Sequence, residues 1–139
     1  MKQLTEVMSR DVKVVGPDTS MREAAQHMRD GDFGLLPVVD NDRIIGTISD
    51  RDITVRGVAE GKDPTSKVRD AMSTGVAWVY EDESIEHALE LMSKRQVRRL
   101  PVISRAKRLV GIVALGDISE QKSEAKPTAK ALSEISKPS

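Results

Sequence analysis

The sequence predicts an α/β fold of the α+β kind, built from two repeats of β-α-β-β-α order packed with pseudo-twofold symmetry. Three observations carry that expectation: one half of the chain falls on the other, each half sets an amphipathic helical stripe among β-branched runs, and turn signals separate the runs. A shift that carries Met8-Ser9 onto Met72-Ser73 also carries Val12 onto Val76, Val15 onto Val79, Asp18 onto Asp82 and Ser20 onto Ser84. The same shift lays Ala24 on Ala88, Met28 on Met92 and Leu36-Pro37-Val38 on Leu100-Pro101-Val102. One extra residue then enters the second copy, after which Arg43, Gly46, Asp52 and Ile53 meet Arg108, Gly111, Asp117 and Ile118. Identity at about a third of the aligned positions marks an internal duplication. The insertion falls between two apolar runs, where a hairpin loop tolerates it.

The elements follow in order. Val12 to Val15 is a short apolar run stopped by Gly16-Pro17, which predicts a first strand and a turn. Ser20-Met21-Arg22-Glu23 has the spacing of a capping box and opens a helix. Met21, Ala24, Ala25 and Met28 give that helix one apolar stripe, and Ile85, Ala88, Leu89 and Met92 repeat it in the second copy. Leu35 to Val39 and Ile44 to Ile48 flank Asp40-Asn41-Asp42-Arg43, which predicts a hairpin; Leu100 to Ile103 and Leu109 to Val113 are its counterpart. First and second strands joined through a helix should run parallel, with the hairpin adding an antiparallel strand. The repeats are placed at 1–58 and 67–120, with a linker over 59–66 that holds Gly61, Asp63 and Pro64. Lys67 to Met72 is expected as a short helix leading into the second copy. A unit of about 50 residues buries too little surface to be secure alone, so the two repeats are expected to share a core. Residues 121–139 turn to Lys, Ser, Ala, Pro and Glu without an apolar stripe, which predicts a disordered tail with a weak helix over Thr128 to Ile135.

Composition narrows the function. In 139 residues, 22 Lys and Arg are balanced by 22 Asp and Glu, which argues against a basic nucleic-acid binder. Charged residues make up 32% and apolar residues 38%, the balance of a soluble globular chain. The longest apolar stretch, Leu109 to Leu115, is too short to cross a bilayer. The opening Met-Lys-Gln-Leu-Thr-Glu has no apolar run of a secretory signal. The absence of cysteine excludes disulfides, thiol nucleophiles and cysteine-based zinc sites, and fits a cytoplasmic address. Only Phe33, Trp78 and Tyr80 are aromatic, so the core must be aliphatic and a base-stacking platform is missing. His27 and His87 do not align between copies and show no metal or catalytic partner pattern, so neither a metal site nor a catalytic residue is assigned. Gly57 to Lys62 is one residue short of a phosphate loop, and Asp63 stands where a hydroxyl residue is needed.

The ordered set occurring twice resembles the CBS domain, a small module found in tandem pairs. Each copy opens with Met-Ser and Val-x-x-Val, carries Leu-Pro-Val in its second strand, and has a Gly-led third strand running into an Asp-Ile helix start. Gly46-Thr47-Ile48-Ser49-Asp50-Arg51-Asp52 fits the family's Gly-x-x-Ser/Thr-x-x-Asp signature, and Gly111 to Asp117 fits it except at Ala114. The resemblance covers residues 4 to 120, and the whole looks like small bacterial proteins made of one CBS pair. It implies a regulatory module, not an enzyme. Such pairs bind adenosine-containing molecules (AMP, ADP or ATP, with S-adenosylmethionine or NAD as further members) in the cleft between the repeats and require no cofactor. The resemblance assigns the ribose hydroxyls to Ser49, Asp52 and Asp117, and the base and backbone approach to Thr47, Gly46 and Gly111. It also implies a homodimer of pairs and a target protein of unknown identity, while composition argues against a membrane and against nucleic acid as partner.

The chemistry of these residues is coherent. A ribose diol offers two adjacent donors, and a carboxylate at a rigid helix start accepts both through charge-assisted bonds. The helix start also supplies amide donors that suit an anion. Ser49-x-x-Asp52 is equally a plain capping box, worth roughly 1 kcal/mol, and Ala114 cannot cap although Asp117 remains. Arg98-Arg99 precedes Leu100-Pro101-Val102, and paired guanidinium donors suit phosphate; the same pair also fits an exposed basic strand end. The matching positions in the first copy are Gly34 and Leu35, so the two sites are expected to be unequal. The leading expectation is thus a cytoplasmic sensor of adenine nucleotides that signals to a partner protein. Its rival is a constitutive interaction scaffold with a vestigial nucleotide cleft.

Overall fold

A computed structural model describes residues 3–121. Its helices and strands run α1 (Leu4–Val7), α2 (Met21–Gly31), β1 (Leu35–Asp40), β2 (Arg43–Ser49), α3 (Asp50–Asp52), β3 (Val79–Tyr80), α4 (Ile85–Arg95), β4 (Arg99–Ile103), β5 (Leu109–Ala114) and α5 (Leu115–Gln121). A π-helical segment, Ile53–Val58, continues α3, and a 3-10 turn, Val68–Asp70, precedes β3. Helices, strands and small sheets together make an α+β fold. Among the described residues no helix is long and apolar enough to cross a membrane. The expected weak helix over Thr128 to Ile135 lies outside the described residues.

The chain divides into two compact units, and each is cut differently from the sequence repeat. One unit is Lys13–Val76. The other joins residues 3–12 to residues 77–121, so the opening segment of the first copy folds with the body of the second. Each unit has its own aliphatic cluster. Residues 13–76 bury Val15, Met21, Ala24, Leu36, Val38 and Ile48, with Val68 and Ala71 from the opening of the second copy. The other unit buries Leu4 and Val7 with Ile85, Met92, Leu100, Val102, Val113 and Ile118.

Local sequence explains the elements in both units. Ser20 Oγ accepts the Glu23 N–H and Ser84 Oγ accepts the His87 N–H, each at 3.1 Å, so both main helices start on a serine cap. Both end on a left-handed residue, Asp32 and Gln96, each at φ 55°. Residues 59–66 do not hang free of this frame. The Ser66 and Pro64 carbonyls accept the N–H groups of Met21 and Arg22 at 2.9 and 3.0 Å, which satisfies two orphan donors of the first turn of α2.

The hairpins account for the inserted residue. β1 and β2 pair antiparallel from Leu35 opposite Ser49 to Asp40 opposite Arg43, around Asn41 and Asp42, both at positive φ. β4 and β5 repeat the pattern, but Arg105 to Lys107 form a loop one residue longer, with Lys107 at φ 68° and the Ser104 N–H bonded to the Arg108 carbonyl. A bulge falls between Val38 and Val39 and again between Val102 and Ile103. The first strands are shorter than the apolar runs suggested. Val15 makes a single parallel bridge to Val38, and only Val79–Tyr80 pairs parallel with β4. In that bridge the Val15 N–H bonds to the Pro37 carbonyl and the Val39 N–H to the Val15 carbonyl; Pro37 itself has no N–H with which to extend the ladder toward Lys13.

On the far side of each hairpin lies a Met-Ser segment. Ser73 exchanges both backbone bonds with Thr47 at 2.8 and 2.9 Å, and Ser9 does the same with Ile112 at 2.9 and 2.7 Å. The close approach explains a glycine in each hairpin. A Cβ on Gly46 would lie 2.5 Å from the Ser73 carbonyl oxygen, and one on Gly111 would lie 2.8 Å from that of Ser9.

Gly46→Ala is therefore expected to destabilise the protein by about 1–3 kcal/mol, because backbone must move to admit the methyl. Gly75, with open space around its Cβ position, is the control, and Gly75→Ala should stay within about 0.5 kcal/mol of wild type in the same denaturant melts. Ser20→Ala and Ser84→Ala should each cost about 1 kcal/mol by thermal or urea unfolding, since each removes one helix cap.

Candidate nucleotide site

Strand β2 of the Lys13–Val76 unit delivers Thr47 and Ser49 to the start of α3, and Asp52 follows one turn later. Thr47 is buried, while Ser49 and Asp52 are half-buried. Ser49 and Asp52 form a reciprocal box. The Ser49 Oγ accepts the Asp52 N–H and the Asp52 Oδ2 accepts the Ser49 N–H, both at 3.0 Å. A third residue joins them. Ser73 Oγ donates to the Asp52 carboxylate, 3.2 Å from Oδ1 and 3.4 Å from Oδ2. Arg56, on the π-helical segment, places Nη1 3.3 Å from the Met72 carbonyl next to Ser73.

Sequence reasoning named Gly46, Thr47, Ser49 and Asp52 and missed Ser73 and Arg56. The structure brings the first four together within one unit. The backbone that passes Gly46 is the chain's own Met72-Ser73 segment. The Met-Ser pair was visible as a repeated motif, but nothing local says that it lies beside the signature of the preceding copy.

The other unit gathers the remaining predicted residues. β5 ends at Ala114, opposite Arg99 in the register, and the Leu115 N–H bonds to the Arg98 carbonyl at 2.8 Å. Arg98, Arg99 and the start of α5, which carries Asp117, thus lie at one end of the hairpin. Gly111 lies further along β5, under Met8 and Ser9. The first unit has Gly34 where Arg98 stands, and the Asp50 N–H bonds to its carbonyl at 3.0 Å. The Asp50 carboxylate covers Gly34, with Oδ2 2.8 Å from where a Cβ would be, so this position has no room for a second arginine without rearrangement.

The opposite ends of the sheets carry ion pairs. Arg69 bonds to Asp18 at 2.6 Å, and Arg105 grips Asp82 through two bonds of 3.1 and 3.0 Å. Those bonds hold both carboxyls below the usual carboxylate range. An open cavity of about 670 Å³ lies beside Asp18, lined also by Gly16, Asp40, Asn41 and Arg69; none of the predicted site residues lines it. Arg105 stacks 3.9 Å from the Tyr80 ring centre, and Lys107 bonds to the Tyr80 hydroxyl. The histidines sit one turn from a glutamate, His27 with Glu23 and His87 with Glu83. Among the described residues no three His, Asp or Glu side chains converge as a metal site would require.

The CBS domain family model matches residues 4–56 and 68–124. Hypoxic response protein 1 of Mycobacterium tuberculosis is 40% identical over 121 residues, spanning 86% of this chain and 84% of that protein. A crystal structure of hypoxic response protein I with two coordinated zinc ions superposes with a TM-score of 0.78 at 39% identity, covering 86% of this chain and 98% of that one. The CBS domain pair of protein MJ0100, crystallised with 5-methylthioadenosine and S-adenosyl-L-methionine, gives a TM-score of 0.77 at 27% identity over 88% of this chain and 96% of that one. CBSX2 in complex with AMP gives 0.78 at 25% identity over 88% and 96%. Two matched stretches, the repeated signature and these solved pairs lead to one assignment: the chain belongs to the CBS domain family and carries two copies of the domain.

Proposed function

We propose that this CBS pair is a regulatory module whose ligand is an adenosine-containing molecule of the AMP, ADP or ATP class. The observation that carries the proposal is the Asp52 carboxylate, half-buried and held at the start of α3 by Ser49 and Ser73. A carboxylate has about four lone-pair sites, and the internal bonds leave acceptor capacity for a vicinal diol. Support comes from two similar pairs, one crystallised with S-adenosylmethionine and methylthioadenosine and the other with AMP. In this reading Asp52 and Asp117 accept ribose hydroxyls, Ser49 fixes the first of them, Thr47, Gly46 and Gly111 shape the base side, and Arg98 and Arg99 take phosphate. The ligand biases conformation only by its difference in affinity between two states of the protein, and a target protein reads the outcome. By family resemblance the working form is a cytoplasmic homodimer.

Calorimetry and thermal melts with AMP, ADP, ATP, NAD and S-adenosylmethionine test this directly. A true ligand at a hundred times its dissociation constant should stabilise the protein by roughly 2.7 kcal/mol. No shift with any of the five would favour the constitutive scaffold, a reading that Ala114 in place of a signature hydroxyl supports. Asp52→Ala should weaken the ligand at least about tenfold, the worth of a charge-assisted bond. Arg98→Ala and Arg99→Ala should reduce ATP affinity more than adenosine affinity, and equal losses would remove the phosphate assignment.

A further inference from the structure

We propose that Ser73 is a positioning residue for the ribose-binding carboxylate, acting on a signature that belongs to the preceding sequence copy; this rests on the adenosine reading above. Ser73 lies outside the Gly-x-x-Ser-x-x-Asp signature, and its hydroxyl has one proton to give. That proton faces both oxygens of Asp52, 3.2 Å from one and 3.4 Å from the other. The Ser49 N–H meanwhile fixes Oδ2 at 3.0 Å. A carboxylate gripped from two sides cannot turn about its own axis, so its remaining lone pairs keep one direction. Binding a diol then needs no ordering of the acceptor, which is how a supporting shell raises affinity without touching the ligand.

The frame behind Ser73 is rigid for a reason independent of the hydroxyl. Both of its backbone groups bond to Thr47, and the chain passes over Gly46, where no side chain could fit beneath it. Removing the hydroxyl should therefore leave the segment in place. The chain also contains its own control. Ser9 occupies the matching place, bonded by its backbone to Ile112 over Gly111. There the signature hydroxyl is replaced by Ala114, and among the described residues no hydrogen bond joins Ser9 to Asp117. One carboxylate is oriented by two serines, while its counterpart is oriented by neither.

The test uses the full chain and two probes, AMP and 2′,3′-dideoxy-AMP, with affinities from calorimetry and stability from thermal melts. Wild type should prefer AMP, because only AMP presents the diol. In Ser73→Ala that preference should fall about three- to tenfold, chiefly through lost AMP affinity, the size of one ordinary hydrogen bond. Ser73→Thr keeps the hydroxyl and should keep the preference, and Ser9→Ala should leave it at the wild-type value. An unchanged preference in Ser73→Ala overturns the proposal, as does an equal loss for both probes, which would make the serine merely structural. Wild-type protein that binds both probes equally would show that the diol is not read. Wild-type protein that binds neither would defeat the adenosine reading itself, and the positioning role with it.

Discussion

Two backbone hydrogen bonds between Thr47 and Ser73 tie the signature strand to a segment that sequence order would place in the next repeat. The matching pair between Ser9 and Ile112 does the same in the other unit. The rest follows from these contacts. They give β2 a second neighbour at Thr47, and β5 one at Ile112, each through one pair of backbone bonds. They bring Met72 and Met8 over the glycines that must stay small, and they bring Ser73 to the Asp52 carboxylate. They also explain why each compact unit draws chain from both sequence copies. A fifty-residue repeat buries too little alone, and the added segments contribute Val68 and Ala71 to one cluster and Leu4 and Val7 to the other.

Much of this was legible in the sequence because its signals are local. The serine caps of α2 and α4 were readable from a hydroxyl placed just ahead of an apolar stripe. The hairpins were readable from paired β-branched runs around polar turn residues, and the one-residue insertion fell in the second turn, which is one residue longer than the first. What escaped was set by distance along the chain. Ser73 and Asp52 lie 21 residues apart, and no period or cap links them. The apolar run at Val12 to Val15 read as a strand, yet only Val15 is both buried and bridged, while Val14 is exposed. The π-helical stretch after Asp52 left no mark at all. Its physical trace is Gly57, buried against Met21, where a Cβ would come within 2.9 Å of the sulfur.

Gly46 and Gly111 illustrate how one residue supports two arguments. From sequence, a glycine opening the signature suggests room for a ligand to approach backbone. In the structure the approaching backbone is the chain's own, closer at each glycine than any Cβ would tolerate. Their retention in both copies is therefore accounted for by the fold. The binding role proposed for the signature must rest instead on Asp52 and its surroundings, where packing does not require an acid. A capping box needs an acceptor on the third residue, and Gln or Glu serve it as well. A short Asp, gripped also by Ser73, keeps the carboxylate close to the backbone and its free lone pairs turned in one direction.

Duplication makes the two ends of the molecule comparable residue by residue, and they have diverged in opposite senses. The first copy keeps the signature hydroxyl and gains a serine contact on its carboxylate, but has Gly34 under the Asp50 side chain where an arginine could have stood. The second copy has Arg98 and Arg99 at that place but Ala114 beside Asp117. One half is thus better made for hydroxyl donors and the other for a charged group, within backbones that share register, bulge and caps. Two equal sites would have preserved both features twice. The two signatures are therefore not equivalent, and a diol of the kind proposed would find its acceptor better supported in the Lys13–Val76 unit than at Asp117.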